Sequence, residues 1–547
     1  MMINESKLSL NLDRVVRDLD LNPDHLEFYG RDKAKVSFSA LSGVSRGSKL
    51  ILVSAITPTP AGEGKTTVSI GLAQGLRRAG YRSALALRQP SMGPVFGRKG
   101  TATGGGKSTL TPADSINLHF TGDFHAIGSA HCLLAAALDN TLHFRTSRLD
   151  PNRVLWKRVL DMNDRALRQI EIGTSAANPA GRKSGFDITA ASEIMAILCL
   201  SENYEDLRTR LNRMIVGFTP EMEAVTAEEI RVTGSMLALL RDALKPNLVQ
   251  TFEGVPAFVH GGPFANIAHG CNSVLATRMA LAHSDYVVTE AGFAFDLGGE
   301  KFIDIKCRQS GLKPDVIVIV VTIRALKMHG GVALDALELE NPDAVSRGLE
   351  NLDAHLEAAR FFCRPIVVAI NRFVNDHAEE LKRVHDHCIV NEVVCEVANV
   401  FAEGGFGALA LAEKVVKLAQ LPSKEMPFTY AKTDSVEEKI IKIANQVYGA
   451  DGVDFSQYAQ QKLETYRANG LHLLPICMAK TQESLSDDPK RFGRPSNFRI
   501  SVRDFEIANG AGFLIALTGA LLRMPGLPRV PAAERIQMDN FGNITGW

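Results

Sequence analysis

The chain has 547 residues, of which 45% are hydrophobic and 22% are charged, as is usual for a globular protein. Its 61 lysines and arginines balance 61 aspartates and glutamates, so the formal net charge is zero. A general nucleic-acid or membrane-surface binder would carry a basic excess, so the balance argues against both classes. The length exceeds one compact core and predicts roughly two to four domains.

The eight cysteines are spread along the chain, and none forms a C-x-x-C pair. This spacing argues against a zinc or iron–sulfur site and predicts reduced, mostly buried thiols in a cytoplasmic protein. Residues 1–21 alternate charged with apolar side chains, so we expect neither a signal peptide nor an anchor there. The apolar runs elsewhere are strand-length or interrupted, so no membrane span is predicted.

Short apolar runs rich in β-branched residues recur along the chain, and each ends in glycine, proline or polar residues. Continuous hydrophobicity over such lengths is typical of strands buried on both faces. Helical patterns, for example at 66–78 and 351–360, separate several runs. The alternation predicts an α/β fold with a P-loop NTPase-like, mostly parallel sheet and helices on both faces. The predicted strands are 50–56, 83–87, 257–260, 286–289, 316–322, 366–370 and 392–397.

Two further regions differ from this pattern. Helix-period segments, including LWKRVLDMNDRALRQI at 155–170, predict an α-rich insertion over residues 125–245. Apolar runs broken by Gly and Pro predict a small mixed α/β C-terminal domain over residues 426–547. The nucleotide-binding core would then be discontinuous and consist of residues 1–124 and 246–425.

The sharpest motif is TPTPAGEGKTT at residues 57–67, between a predicted strand and a predicted helix. This setting is typical of a phosphate loop, in which backbone N–H groups and a helix N-terminus face an anion. Lys65 would contact the β- and γ-phosphates of ATP, and the Thr66 hydroxyl would hold Mg²⁺. The alternative is an ordinary turn with a surface lysine. The predicted nucleotide-binding residues are Thr59, Pro60, Ala61, Gly62, Glu63, Gly64, Lys65, Thr66 and Thr67.

Two other strand ends carry polar side chains. Glu290 follows the strand at 286–289, where nucleotide-binding sheets often place a ligand for Mg²⁺ or water. Asn371 follows the strand at 366–370, where such folds often read a purine base. The alternative for Glu290 is a helix-capping or surface carboxylate.

The same loop sequence and a series of other motifs resemble the formate–tetrahydrofolate ligases over nearly the whole chain. The matching segments include INLHFTGD at 116–123, KPNLVQ at 245–250, HGGPFANIAHGCNS at 260–273, RALKMHGG at 324–331, MAKTQ at 478–482 and MPGLP at 524–528.

The resemblance implies an enzyme that phosphorylates formate with ATP and transfers the formyl group to tetrahydrofolate. Arg88 is at the position of the family's formyl-phosphate arginine, and its planar guanidinium suits two-point binding of an anion. Phe373 and Phe401 match the aromatic residues that sandwich the pterin, and Phe293 matches an aromatic residue near the acyl site. Glu290 is grouped with these three as a predicted substrate-binding residue. The family also implies a homotetramer.

Several residues depart from the family's pattern near the expected site. Gln89 replaces the glutamate of its monovalent-cation position, and Lys107 replaces a tyrosine. Phe401 replaces a tryptophan, and Glu403 replaces a lysine. The replacement of glutamate by Gln89 predicts activity that is largely independent of K⁺. Lys107 is the candidate for the cation that takes over the electrostatic role of K⁺.

Three hypotheses remain open from the sequence. The first is formate–tetrahydrofolate ligase activity. The second is a divergent paralogue that applies the same acyl-phosphate chemistry to another small carboxylate or a modified folate. The third is a nucleotide-binding protein of the P-loop fold without ligase activity, and the presence of Arg88 beside an intact loop argues against it.

Overall fold

The computed structural model describes residues 12–42, 47–174, 181–519 and 521–547. Residues 1–11, on which most of the expectation about the N-terminus falls, lie outside this set. Among the described residues, no helix is long and apolar enough to cross a membrane.

The chain is built around a large sheet whose central part consists of seven parallel strands. All seven predicted strands are present, with bounds that shift by at most two residues, so the predicted α/β fold is confirmed. In spatial order the strands are Pro256–Val259, Ser83–Leu87, Tyr286–Glu290, Lys49–Ala55, Val316–Val321, Ile366–Asn371 and Val394–Ala398.

Antiparallel strands extend the sheet at one end. Asn247–Thr251 pairs with Pro256–Val259, and Ala34–Val36 and Leu26–Phe28 follow it outward. The hairpin Gly104–Gly105 and Ser108–Thr111 also joins here, because its second strand pairs with Asn247–Thr251. The sheet is therefore mixed at this edge and parallel where the predicted site lies.

Helices cover both faces of the parallel part, as predicted, and the strand side chains alternate between two cores. Lys65–Arg78 and Leu409–Ala419 pack with Ile51 and Val53 on one face. On the other face, Leu50 and Leu52 join a core with four helices. These helices are Val274–His283, Ile323–His329, Pro342–Phe361 and Ala378–Val390. Burial on both faces explains why these strands read as continuous apolar runs.

The region predicted as an α-rich insertion contains five helices and several short strands. The helices are Asp123–His143, Glu193–Leu200, Tyr204–Asn212, Ala227–Ile230 and Thr233–Leu239. The short strands are Arg158–Leu160, Ile170–Ile172, Arg182–Ser184, Phe186–Ile188, Ile215–Phe218 and Ala224–Thr226.

The helical prediction for residues 155–170 is wrong. This segment forms two short strands around the 3₁₀ turn Arg165–Arg168. Its polar side chains bond to distant elements instead of lying on a helix surface: Asp161 accepts hydrogen bonds from Ser91 Oγ and the Met92 backbone N–H. Tertiary contacts have overridden the helical period here.

The C-terminal region has a four-stranded sheet in the order Gly452–Phe455, Arg499–Ala508, Phe513–Thr518 and Ile476–Ala479. Val436–Ile443 and Gln457–Ala468 pack on one of its faces, and helix Glu193–Leu200 shares a core with the other. This region thus contains both helices and strands, as predicted, while the boundaries of the domains stay a prediction.

The remaining α-helices of the described residues are Asp13–Asp18, Met92–Pro94, Ala113–Asn117, Arg308–Ser310 and Val400–Glu403, and a last hairpin pairs Gln537–Met538 with Ile544–Thr545.

Candidate active site

The glycine loop at residues 57–67 connects strand Lys49–Ala55 to helix Lys65–Arg78, as predicted. Gly62 and Gly64 have positive φ angles of 80° and 68°, a conformation that favours glycine. Gly64 also lies so close to Asn371 that an added Cβ would be 2.4 Å from the Asn371 Nδ2. Glycine at position 64 is thus required by both backbone conformation and space.

The Glu63 carboxylate holds the loop together from inside. It is buried and accepts a hydrogen bond from the Thr59 backbone N–H at 2.7 Å and another from the Thr322 hydroxyl. Glu63 is one of the residues predicted to bind nucleotide, but its side chain is used to shape the loop. Thr322 directly follows strand Val316–Val321 and lies in no motif that could have revealed this role.

Buried polar residues fix the start of the loop at Thr57. His329 Nε2 is 2.9 Å from the Thr57 carbonyl oxygen, and His355 Nε2 is 3.0 Å from the Thr57 hydroxyl. Asn351 accepts a hydrogen bond from the Thr57 N–H at 3.2 Å. Burial lowers the pKa of both histidines to about 4, so they are neutral at pH 7. The sequence analysis did not identify any of these three residues, which lie far away in the sequence.

Asn371, at the end of strand Ile366–Asn371, and Arg324, in helix Ile323–His329, support the loop. Asn371 Nδ2 donates to the Glu63 carbonyl at 3.1 Å, and an Arg324 guanidinium nitrogen donates to the Gly62 carbonyl at 3.0 Å. The Arg324 guanidinium also lies 4.0 Å from the centre of the Phe373 ring. The amide nitrogen of Asn371 is therefore engaged with the loop, and its predicted contact with a purine base stays a prediction.

Thr66 and Glu290 meet at the loop's helical end. The Thr66 hydroxyl donates to Glu290 Oε2 at 2.9 Å, so the two oxygens stand side by side. Lys65 begins the helix, and burial lowers its pKa to about 8, with the charge of Glu290 opposing this shift and that of Arg88 adding to it. Oxygen ligands and a lysine at a helix N-terminus form a set that suits a phosphate with its divalent cation.

Arg88 lies at the end of strand Ser83–Leu87, beside Glu290. The Arg88 Nη2 is 3.7 Å from Glu290 Oε1, and its Nη1 donates to the Pro263 carbonyl at 3.3 Å. A Cβ at Gly292 would lie 2.8 Å from Arg88 Nη1, so Gly292 makes room for the guanidinium. Gln89 is buried, and its Oε1 has no hydrogen-bond partner among the described residues.

These side chains surround one small cavity of about 80 Å³. Its walls include Thr66, Arg88, Gln89, Glu290 and Lys99. Lys99 was missed by the sequence analysis, because a lysine in a polar turn gives no signal by itself.

Lys107, expected to act near Gln89, lies elsewhere. Lys107 is exposed on the hairpin that pairs Gly104–Gly105 with Ser108–Thr111, and its backbone N–H donates to the Phe401 carbonyl. Besides Arg88, the cation in the cavity wall with Gln89 is Lys99. Lys99 therefore replaces Lys107 as the candidate for the cation that acts near Gln89.

The turn after Gln89 is held by a half-buried carboxylate. Asp161 accepts from Ser91 Oγ at 2.5 Å and from the Met92 N–H at 3.0 Å. Burial raises the pKa of Asp161 to about 6, and both hydrogen bonds oppose that shift. Since residue 161 was expected in a helix, its contact with the site could not be foreseen.

The three predicted aromatic residues lie in different positions around the loop. Phe373 packs against Arg324, and Phe401, which is 58% exposed, lies against Gly105 and Gly106 of the hairpin. Phe293 has a φ of 58°, which is strained for a residue with a Cβ. Strain of this kind is concentrated at functional sites, but the roles of the three rings stay predictions.

The sequence model of the formate–tetrahydrofolate ligase family matches residues 1–547, the whole chain. The protein belongs to this family. Its members are enzymes of the ATP-dependent ligase class, so the expected resemblance is confirmed.

Proposed function

We propose that this protein joins formate to tetrahydrofolate with ATP, through formyl phosphate, and releases 10-formyltetrahydrofolate, ADP and phosphate. The observation that carries the proposal is the cavity in which Thr66, Arg88, Lys99 and Glu290 converge beside the glycine loop. Family membership supports the overall reaction, and the geometry supports its division between a phosphate-binding loop and an adjacent anion pocket.

The glycine loop and the first turn of helix Lys65–Arg78 are suited to the ATP phosphates. The first backbone N–H groups of a helix have no acceptor within it, and the positive φ of Gly64 turns the chain into this helix. The Lys65 ammonium would offset charge on the γ-phosphate. The oxygens of Thr66 and Glu290 would hold Mg²⁺, which neutralises negative charge on the phosphates.

Arg88 is suited to the acyl half of the reaction. A formate oxygen attacks the γ-phosphorus and ADP departs, which leaves formyl phosphate, a small dianion. Arg88 and Lys99 can bind its oxygens, and Arg88 is kept in place by Glu290 and the Pro263 carbonyl. The tetrahydrofolate N10 then attacks the formyl carbon, phosphate departs and N10 loses its proton. Both steps gain from a fixed cation where negative charge accumulates.

One assay tests both tetrahydrofolate as the acceptor and formyl phosphate as the intermediate. Purified protein is incubated with ATP, tetrahydrofolate and formate labelled with ¹⁸O in both oxygens, and the products are analysed by mass spectrometry. In the proposed route one labelled oxygen stays on phosphorus, so the released phosphate contains one ¹⁸O atom. Unlabelled phosphate together with formyl product would rule out formyl phosphate, and no formyl product would contradict the ligase function.

The replacements at Phe401 and Glu403 favour a second candidate function, that of a paralogue with a different acceptor. Glu403 Oε1 accepts a hydrogen bond from Asn399 Nδ2 at 2.7 Å, so the acidic side chain is positioned within its segment. A paralogue with a different acceptor would release ADP with formate but form no product with unmodified tetrahydrofolate. The homotetrameric state implied by the family is also a proposal, and sedimentation of the purified protein tests it.

A further inference from the structure

One wall of the reaction cavity belongs to the loop at residues 261–273, which lies beside Arg88. The Pro263 carbonyl accepts the hydrogen bond from Arg88 Nη1 at 3.3 Å, and the Gly261 carbonyl accepts one from the Gln89 backbone N–H at 2.8 Å. The position of the guanidinium in the cavity therefore depends on where this loop lies.

A later part of the same loop packs on the turn that makes room for Arg88. The Gly270 carbonyl accepts a hydrogen bond from the Gly292 N–H at 3.0 Å. An added Cβ at Gly292 would lie 2.6 Å from Ala265 Cβ and 2.8 Å from Arg88 Nη1, so Ala265 and the guanidinium border the same small space. Because interiors are closely packed, a shift of Ala265 toward Gly292 would leave less room for Arg88.

Two fully buried lysines, Lys301 and Lys306, hold the loop in place. Both belong to the helical segment over residues 295–310. The Lys301 ammonium donates to the Ala265 carbonyl and, at 3.4 Å, to the Ala268 carbonyl. Lys301 therefore restrains the part of the loop that borders the same space as the Arg88 guanidinium.

Lys306 holds the end of the loop, where it meets helix Val274–His283. Its ammonium donates to the backbone and side-chain oxygens of Asn272 at 2.9 Å and 2.8 Å, to the Ser273 carbonyl at 3.3 Å and to the Thr277 hydroxyl at 2.8 Å. Burial lowers the pKa of Lys306 to about 8, so the group is protonated at pH 7. The hydrogen-bond acceptors of both ammonium groups within the described chain are uncharged oxygens.

We propose that Lys301 and Lys306 are positioning residues of the ligase reaction, whose buried ammonium groups fix the loop and thereby the Arg88 guanidinium. The inference rests on the proposed function and adds two residues that act on the reaction without touching a substrate. Backbone carbonyls of a buried, irregular loop need hydrogen-bond donors, and these two ammonium groups supply them. Apolar side chains of the same size would fill the space but would leave the carbonyls without donors.

Removal of the Lys301 ammonium tests the proposal. Initial rates are measured for the parent protein and for Lys301→Met, which keeps an unbranched side chain of similar length and loses the charge. Lys439→Met is the matched control, because Lys439 is equally buried and its ammonium also donates to two backbone carbonyls, those of His472 and Leu474. Thermal unfolding gives the stability of both variants, so that rates are compared for folded protein.

We expect Lys301→Met to lower kcat by roughly 10-fold to 100-fold, because small misplacements of a catalytic group have effects of this size. The KM for ATP should stay within about twofold, since the glycine loop is not changed. Lys439→Met should have the kcat of the parent, whatever its loss of stability. Equal kcat values in Lys301→Met and Lys439→Met would overturn the proposal.

A double-mutant cycle with Arg88 separates positioning from general damage to the protein. In Arg88→Lys the planar pair of donors is already lost, so the addition of Lys301→Met should lower kcat by less than about threefold further. If the two losses multiply instead, Lys301 does not act through Arg88, and the proposal is wrong.

Two further variants cover the case in which Lys301→Met does not fold. Lys306→Met removes the other ammonium and should lower kcat in the same way. Thr277→Val removes only one acceptor of the Lys306 ammonium, with little change of shape, and should lower kcat by about twofold to fivefold. A parent-like kcat in whichever of these variants folds would contradict the positioning role.

Carbamoyl phosphate, which has an amino group in place of the formyl hydrogen, reports on the position of Arg88 without turnover. In calorimetric titration it should bind roughly tenfold more weakly to Lys301→Met than to the parent, the effect of one lost charge-assisted hydrogen bond. Binding to Lys439→Met should be unchanged. If the parent forms no formyl product but this pattern is found, the positioning role stands although the ligase function has failed. Equal binding by all three proteins overturns the positioning role, and no binding by the parent rejects both this role and the acyl-phosphate pocket.

Discussion

The Thr66 hydroxyl, in the first turn of helix Lys65–Arg78, donates a 2.9 Å hydrogen bond to Glu290 at the end of strand Tyr286–Glu290. The two residues are 224 positions apart in the chain. Their contact joins the glycine loop to the cavity that contains Arg88, so the proposed metal site belongs to both halves of the reaction.

The first prediction concerns this pair. Thr66→Val removes the hydroxyl with little change in shape and should reduce turnover by about 100-fold or more, since loss of one group that acts on transition-state charge has effects of this size. Thr66→Ser should retain most of the activity and its Mg²⁺ dependence. The measurement is initial rate against Mg²⁺ concentration at saturating ATP. An unchanged Mg²⁺ response in Thr66→Val would show that this hydroxyl does not hold the metal.

The second prediction concerns Lys65 and pH. Burial lowers the pKa of Lys65 to about 8, so in the free protein the ammonium is present below pH 8 and is lost above it. Affinity for ATP should therefore fall as pH rises through 8, and Lys65→Ala should bind ATP weakly at every pH. Between about 8 and the ordinary value of 10.5, the unfolded chain binds a proton that the folded chain does not, so this group makes stability rise with pH.

Titration calorimetry with ATP from pH 6.5 to pH 9.5 measures this effect, and thermal unfolding of Lys65→Ala shows that the fold is kept. A flat affinity profile in the parent protein would contradict the assignment of Lys65 to the phosphates.

The third prediction separates geometry from charge at Arg88. Arg88→Lys keeps the positive charge but loses the planar pair of donors, so turnover should fall by about 100-fold or more while ATP affinity changes little. The control is Arg82→Lys. Arg82 is an exposed arginine that directly precedes the same strand and forms an ion pair with Asp285. A normal rate in Arg88→Lys would show that another residue, with Lys99 as the candidate, binds the acyl phosphate.

The fourth prediction concerns the close approach of Gly64 to Asn371. Gly64→Ala should destabilise the protein by about 1–2 kcal/mol through its positive φ alone, and further through contact with the Asn371 amide. Gly80→Ala is a matched control, because Gly80 has a φ of 93° with nothing within 4 Å of an added Cβ. Thermal unfolding and ATP binding are measured. If both variants lose equal stability and bind ATP equally, the contact with Asn371 affects neither the stability of the protein nor its affinity for ATP.

The fifth prediction concerns monovalent cations. Gln89 has lost the carboxylate charge on which K⁺ binding depends, and the cavity wall already contains Lys99. Activity should be largely independent of K⁺, and Gln89→Glu should restore some dependence, more so when combined with Lys99→Met. Initial rates are compared in KCl and in a bulky organic chloride at constant ionic strength. Strong saturable activation of the parent protein by K⁺ would contradict this prediction.

The seven central strands could be predicted because burial on both faces imposes a continuous apolar sequence, of which 316–321 is the purest case. The loop at 57–67 could be placed because strand, glycines and lysine are consecutive. The structure of residues 155–170 could not be predicted, since the contact of Asp161 with Ser91 spans 70 positions and leaves no periodic signal in the sequence. The same holds for Lys99, which reaches the cavity wall only when the fold brings separate turns together.

His329 links the glycine loop to the C-terminal region through both of its ring nitrogens. The Thr57 carbonyl can only accept and the Gly493 backbone N–H can only donate, so the proton must reside on Nε2 and the lone pair on Nδ1. A doubly protonated ring would lose the contact with the Gly493 N–H, and the opposite tautomer would lose both contacts. The base of the loop is therefore fastened to a segment more than 400 residues further along the chain. The glycine loop is consequently not a self-contained unit, since its geometry is completed by a residue that lies far along the chain.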